Sequence, residues 1–136
     1  MDKEILETKL AALIRCVHRI KSQNISSIEE LKNNLDKQEI IILNLQRAVQ
    51  ICVDIGNHIL LDYSTETPST MSETFRKLAH NKLISDSTAE NLSHAVGFRN
   101  IAVHQYENLD CKIIFAIITK HLDDFKVFAA EIQKIN

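Results

Sequence analysis

One short stretch gathers the side chains of this sequence that could act on a phosphate. Gly97-Phe98-Arg99-Asn100-Ile101-Ala102-Val103-His104-Gln105-Tyr106 sets Arg, Asn, His, Gln and Tyr among short apolar residues. A guanidinium offers a planar fork of donors to phosphate oxygens. An imidazole titrates near neutrality and can pass a proton. Arg99 and His104, with Asn100 directly after the arginine, therefore form a minimal kit for breaking a phosphodiester without a metal. Taken as residues alone, they fit a second account equally well: an arginine closing a helix beside its last carbonyls, and a histidine packed in the turn that follows.

Other chemistries lack their parts. HExxH is absent, and Cys16 and His18 stand two apart, on different faces of any helix, so no metal site is expected. Gly56 and Gly97 are the only glycines, too few for a phosphate-cradling loop of the Walker or Rossmann kind. No nucleophile elbow or papain-type context surrounds a serine or cysteine. Asp54 and His58, four apart, could touch along one helix as a polar pair at a helix interface.

The elements that must position these residues read as helices. Of 136 residues 45% are hydrophobic, with two glycines and one proline, which suits helices and leaves too few turn formers for a β-sandwich. Ile5, Leu6, Leu10, Leu13, Ile14, Val17 and Ile20 recur at steps of three and four, predicting an amphipathic helix from Asp2 to about Gln23. Ser27 with Glu30 has capping-box spacing for a short helix through Leu31. Asp36 with Glu39 repeats that signal and opens the longest segment, Lys37 to about Tyr63, apolar around most of its circumference between Ile40 and Leu61. Such a helix is central in a bundle or covered further by a second subunit. Pro68 marks a loop. Thr70 with Glu73 caps a helix ending near Asn81, and Ser87 with Glu90 caps another to about Arg99, leaving 97–106 as a connection. Asp110 opens one final helix through Ile132. The expected fold is all-α, a single-domain bundle of five to six helices over residues 1–136.

Charge and cysteines bound the setting. Sixteen Lys and Arg against eighteen Asp and Glu give a net charge of −2, which excludes a generally basic nucleic-acid binder but not a local basic cleft. Cys16, Cys52 and Cys111 are dispersed without a CxxC, as expected of reduced thiols in a cytoplasmic protein. No secretory signal is expected, and no apolar run approaches the ~20 residues of a membrane span.

The stretch FRNIAVHQY resembles the R-X4-H-X-Y signature of HepT-type toxins in the HEPN superfamily, and the resemblance extends beyond it. NLQRAVQICVDIGNHIL, residues 44–60, is similar to that family's long central helix, and PSTMSETFRKLAHNKLIS and the C-terminal helix follow in the family's order. The resemblance implies a HEPN-like homodimer that acts as the toxin of a toxin–antitoxin pair. It further implies a metal-independent endoribonuclease, without cofactor, whose RNA substrate lies in a cleft built by both subunits. On this chain Arg99 would bind the scissile phosphate, His104 would serve as general acid or base, Asn100 would orient the phosphate or the histidine, and Asp54, in the segment similar to the central helix, would neighbour the cleft. The cognate antitoxin would be a minimal nucleotidyltransferase, with Tyr106 the acceptor of AMP. The alternative is a non-catalytic HEPN module that binds nucleotide or serves as an accessory subunit of the transferase. RNA cleavage in EDTA that depends on His104 separates the two.

Overall fold

The structure, a computed structural model, describes residues 1–63, 66–104 and 110–135, with backbone only for residues 103 and 104. Among these residues all regular structure is helical, in seven segments rather than the five to six expected.

Asp2 caps α1 (Lys3–Lys21), its carboxylate accepting from the Glu4 N–H at 2.7 Å. Ser27 caps α2 (Ile28–Lys32) through the Glu30 N–H at 3.1 Å. The Glu30 carboxylate returns to the N–H and hydroxyl of Ser26, one residue before the expected partner. The long helix α3 (Leu35–Leu60) starts earlier than the Asp36–Glu39 signal predicts, because Asn34 is the cap and accepts from the Lys37 N–H at 3.0 Å. Asp36 falls instead in the first turn, where a carboxylate complements the helix dipole. Thr70 caps α4 (Met71–His80) as expected, and the helix stops at Asn81.

The next helix departs most from expectation. Ser85, not Ser87, caps α5 (Asp86–His104), accepting from the Thr88 N–H at 3.1 Å. The helix does not stop at Arg99 but runs through His104, so the stretch from Gly97 to His104 is helix rather than connecting loop. Burial explains the extension: Phe98 and Ala102, one turn apart, both pack into the core. The expected final helix is two helices, α6 (Cys111–Lys120) and α7 (Asp123–Gln133). His121 ends the first with φ −122° and ψ 0°, and Asp123 and Asp124 occupy the first turn of the second. His121 Nδ1 stands 3.1 Å from Asp124 Oδ2 and staples the break.

The helix α3 is the axis of the bundle: α1, α2, α4, α5 and α7 all pack against it, while α6 leans on α2. Leu45, Ala48, Cys52 and Ile55 of α3 are within 1% of complete burial. The apolar circumference of α3 is thus covered mainly within the chain, and only Leu35 at its start and Leu43 of its large apolar residues are exposed. Phe75 of α4 meets Phe128 of α7 edge to face, centroids 6.0 Å apart. No helix among the described residues is long and apolar enough to cross a membrane.

Candidate functional site

Arg99 stands three residues beyond Val96 and seven beyond Leu92, on the stripe of α5 whose other members are buried. Helical periodicity therefore turns the arginine inward, towards α3, instead of releasing it to solvent. The side chain is half-buried. Its Nη2 lies 3.5 Å from Oε1 of Gln50 on α3, and its Nη1 lies 3.5 Å from Oδ1 of the exposed Asn100. Its Nε is buried and has no hydrogen-bond partner among the described residues. No carboxylate pairs with the guanidinium among those residues.

That combination is unusual for an arginine. The group stays charged at any physiological pH, and removing it from water without an anion or full hydrogen bonding is costly. Two contacts at the outer limit of hydrogen bonding do not satisfy five donors. Among the described residues the guanidinium is therefore held in direction with donors to spare, an arrangement able to receive an anion.

Asp54 belongs to this cluster through Gln50. The Gln50 Nε2 donates to Asp54 Oδ1 at 2.9 Å, one helical turn along α3. Asp54 is exposed, and no ion pair joins it to His58 among the described residues. The expected Asp54–His58 contact is replaced by Gln50–Asp54, and Asp54 approaches Arg99 at one remove. The link Asp54–Gln50–Arg99–Asn100 connects three of the residues singled out in the sequence. Gln50 itself carried no signal there, being a neutral amide inside an apolar run and 49 positions from Arg99. The His104 backbone continues α5, but its side chain and all of Tyr106 lie outside the described residues.

The remaining reactive groups stand apart from the cluster. Burial pushes the Cys52 thiol far up, and it raises that of Cys16 despite the opposing charges of Arg47 and Arg15. Both thiols are held protonated and are poor nucleophiles. Along the other side of α5 runs an apolar groove of about 600 Å³, walled by Gly97, Phe98 and Ile101 of α5 and by Ile113, Ala116 and Ile117 of α6. Only Ile114 of α6 is buried, and Ile101 and Ile113 expose 42% and 46% of their surface. The groove reaches Leu45 and Val49 of α3 at its floor and leaves apolar surface open along α5 and α6.

Known proteins match this chain along most of its length. The family described as Ribonuclease HepT-like matches residues 13–132. The mRNA nuclease HepT of Shewanella oneidensis is 38% identical over 125 residues, spanning 92% of this chain and 93% of that protein. The tRNA nuclease HepT of Aphanizomenon flos-aquae is 26% identical over 133 residues, spanning 98% of this chain and 90% of its own. Among solved structures, the tri-AMPylated Shewanella oneidensis HEPN toxin in complex with MNT antitoxin superposes with a TM-score of 0.89 at 36% identity. That match covers 98% of this chain and 99% of the toxin.

Proposed function

Since the chain belongs to the ribonuclease HepT-like family and is a ribonuclease of the toxin–antitoxin kind, we propose that it cuts RNA at the Arg99 cluster, in a cleft shared by two copies of the chain. The observation that carries this reading is the half-buried, directed and unsaturated guanidinium of Arg99. A phosphate arriving there supplies the acceptors that the protein withholds, and the interaction strengthens as charge grows on the pentacoordinate phosphorus.

The open apolar surface supports the shared cleft. A groove walled by α5 and α6 lies on the helix that bears Arg99, so a second copy seated there would bring a second α5 close to the first. Helix geometry argues the same way. Five residues along an α-helix turn about 140° past a full circle and rise about 7.5 Å, so positions 99 and 104 of one copy do not face one point. Two helices from two copies can converge on a single phosphate where one cannot.

In the reaction, the substrate's 2′-hydroxyl attacks the adjacent phosphorus and loses its proton to a base. The P–O5′ bond breaks, and the departing oxygen takes a proton from an acid. The products are a 2′,3′-cyclic phosphate and a 5′-hydroxyl. His104 fills the acid or base role, one from each copy, and Asn100 holds the phosphate or the imidazole in register. No metal or cofactor enters the steps.

The partner follows from the same reading. A minimal nucleotidyltransferase joins AMP from ATP to the phenolic oxygen of Tyr106, and pyrophosphate leaves. Two positions beyond His104, such a group blocks the cleft by bulk and adds negative charge where RNA phosphates must come. The test is cleavage of single-stranded RNA by the purified chain in EDTA. Arg99→Ala and His104→Ala should each lower the rate by ~10²-fold or more. Undiminished cleavage by the His104→Ala protein overturns the assignment.

A further inference from the structure

We infer that Gln50 is a positioning residue for Arg99, fixing the direction of the guanidinium while keeping a carboxylate from neutralising it. The inference rests on the Arg99 reading above and adds a residue to it. A glutamine amide has two ends, and which one faces an arginine is decided by its other neighbour. Here that neighbour is Asp54, whose ionised carboxylate only accepts hydrogen bonds. The Gln50 amino group must therefore turn to Asp54 Oδ1, at 2.9 Å, and its carbonyl oxygen must turn to Arg99 Nη2, at 3.5 Å. The opposite orientation would set two donors against each other at Arg99 and leave Asp54 facing an oxygen.

Position on the fold makes the arrangement rigid at one end and open at the other. Gln50 and Asp54 are one turn apart on α3, the most enclosed helix of the bundle, and Gln50 is half-buried. Arg99 comes from α5, a separate helix, so the pair bridges two elements whose spacing is set by packing. A carboxylate in place of the amide would form an ion pair and occupy the donors meant for phosphate. An apolar side chain would leave the guanidinium undirected. The amide orients the charge without cancelling it, and Asp54 supplies the orientation from a distance.

Three substitutions give distinct signatures, read on a labelled single-stranded oligoribonucleotide of mixed sequence and, for binding, on its 2′-O-methyl form. Gln50→Glu should raise KM by about tenfold or more, because the new carboxylate competes with phosphate for Arg99. It should also flatten the dependence of log affinity on log salt by about 0.7, the share of one phosphate contact to a single strand. Gln50→Met keeps the bulk and loses the acceptor. It should leave the salt slope unchanged and lower kcat by about tenfold, through misdirection of the guanidinium. Asp54→Asn, at an exposed site where folding is not at stake, lets the Gln50 amide take either orientation. It should lower kcat about twofold without raising KM.

A merely structural Gln50 would move thermal stability and both kinetic constants together, and would not move the salt slope. Parental KM, kcat and slope in Gln50→Glu and Gln50→Met, with Arg99→Ala inactive, overturn this inference and leave the Arg99 reading standing. An Arg99→Ala protein that cleaves at the parental rate overturns the reading itself. If either Gln50 variant fails to fold, Asp54→Asn decides: a parental kcat overturns the inference.

Discussion

Gly56, near the C-terminal end of α3, should resist replacement by alanine even though alanine is the better helix former. A Cβ built there would sit 2.6 Å from Thr74 Cγ2 and 2.9 Å from Leu78 Cδ1, both on α4. Neither neighbour can give easily. Thr74 is fully buried, stiff at χ1 and tied by its hydroxyl to Asn57 Oδ1 at 2.7 Å. Leu78 is also fully buried. Exchanging Gly for Ala in a helix returns about 1 kcal/mol of propensity. Against this, overpacking costs roughly 1–3 kcal/mol, and displacing Thr74 from Asn57 costs about 1 kcal/mol more. The net is a loss of about 2 kcal/mol, which for a chain of this size lowers Tm by roughly 6–10 °C. Gly97 is the internal comparison: it is helical and exposed, and a Cβ there meets nothing within 4 Å. Read in the chain made monomeric by Ile113→Glu, on the open face of α6, Gly97→Ala should therefore raise Tm by a few degrees, since propensity alone acts. Thermal unfolding followed by circular dichroism at one fixed chain concentration reads both. If Gly56→Ala raises Tm as Gly97→Ala does, α3 and α4 do not approach as closely as described, and the reasoning fails.

Further outcomes follow from the same geometry. Tyr106→Phe keeps the ring and loses the hydroxyl that would accept AMP, so the variant should stay toxic in a growth assay and escape its nucleotidyltransferase; loss of toxicity would assign the hydroxyl to catalysis instead. The chain should sediment as a dimer at micromolar concentration, and Ile113→Glu, on the open face of α6, should shift it to monomer and abolish cleavage; a parental chain that is monomeric and fully active would refute the shared cleft. Hydrogen bonds from the Ser69 hydroxyl and N–H, with Lys77 beside it, hold the Glu73 carboxyl down at about 2 against an ordinary 4.5. A depressed acid stabilises the fold above its unfolded value and loses that contribution as pH falls through the folded one. Glu73→Gln should thus unfold at lower urea than the parent at neutral pH, with the gap closing between pH 4.5 and about 2; a gap independent of pH would refute the assignment.

Much of the architecture is readable in the sequence because caps and periods are local signals. Asp2, Ser27 and Thr70 cap where their types predict, each satisfying an N–H two or three residues on. Where two capping residues compete within a few positions, sequence alone chooses badly. Asn34 caps in place of Asp36 by accepting from the Lys37 N–H, and Ser85 caps in place of Ser87, where a tertiary neighbour favours the earlier start: Glu131 of α7 hydrogen-bonds to Ser85 and Thr88 and holds the first turn of α5. The break between α6 and α7 is hidden by an apolar stripe that continues from Ile117 through Leu122 to Phe125 across it. The stretch from Gly97 reads as a loop in the sequence because its polar residues outweigh the Phe98–Ala102 step that keeps it helical through His104. Gln50 was not legible at all. Nothing in a neutral amide announces that a helix 49 residues later will bring an arginine to it.

The clamp of Glu131 on Ser85 and Thr88 ties the order of folding to the order of the chain. Its partners are 46 and 43 residues apart, so the loop between them must close before the motif helix has a fixed first turn. The near ends of α1 and α3, Lys21 and Leu35, are joined by a short stretch of chain, so their pairing starts against a smaller entropic barrier. The half of the molecule that contributes Gln50 and Asp54 can therefore consolidate first, as a template that still lacks Arg99. The helix that carries Arg99 rests on α3 and α4, and its first turn is secured when α7 docks, so a chain without Glu131 would keep its sequence motif and loosen the start of the helix that holds it.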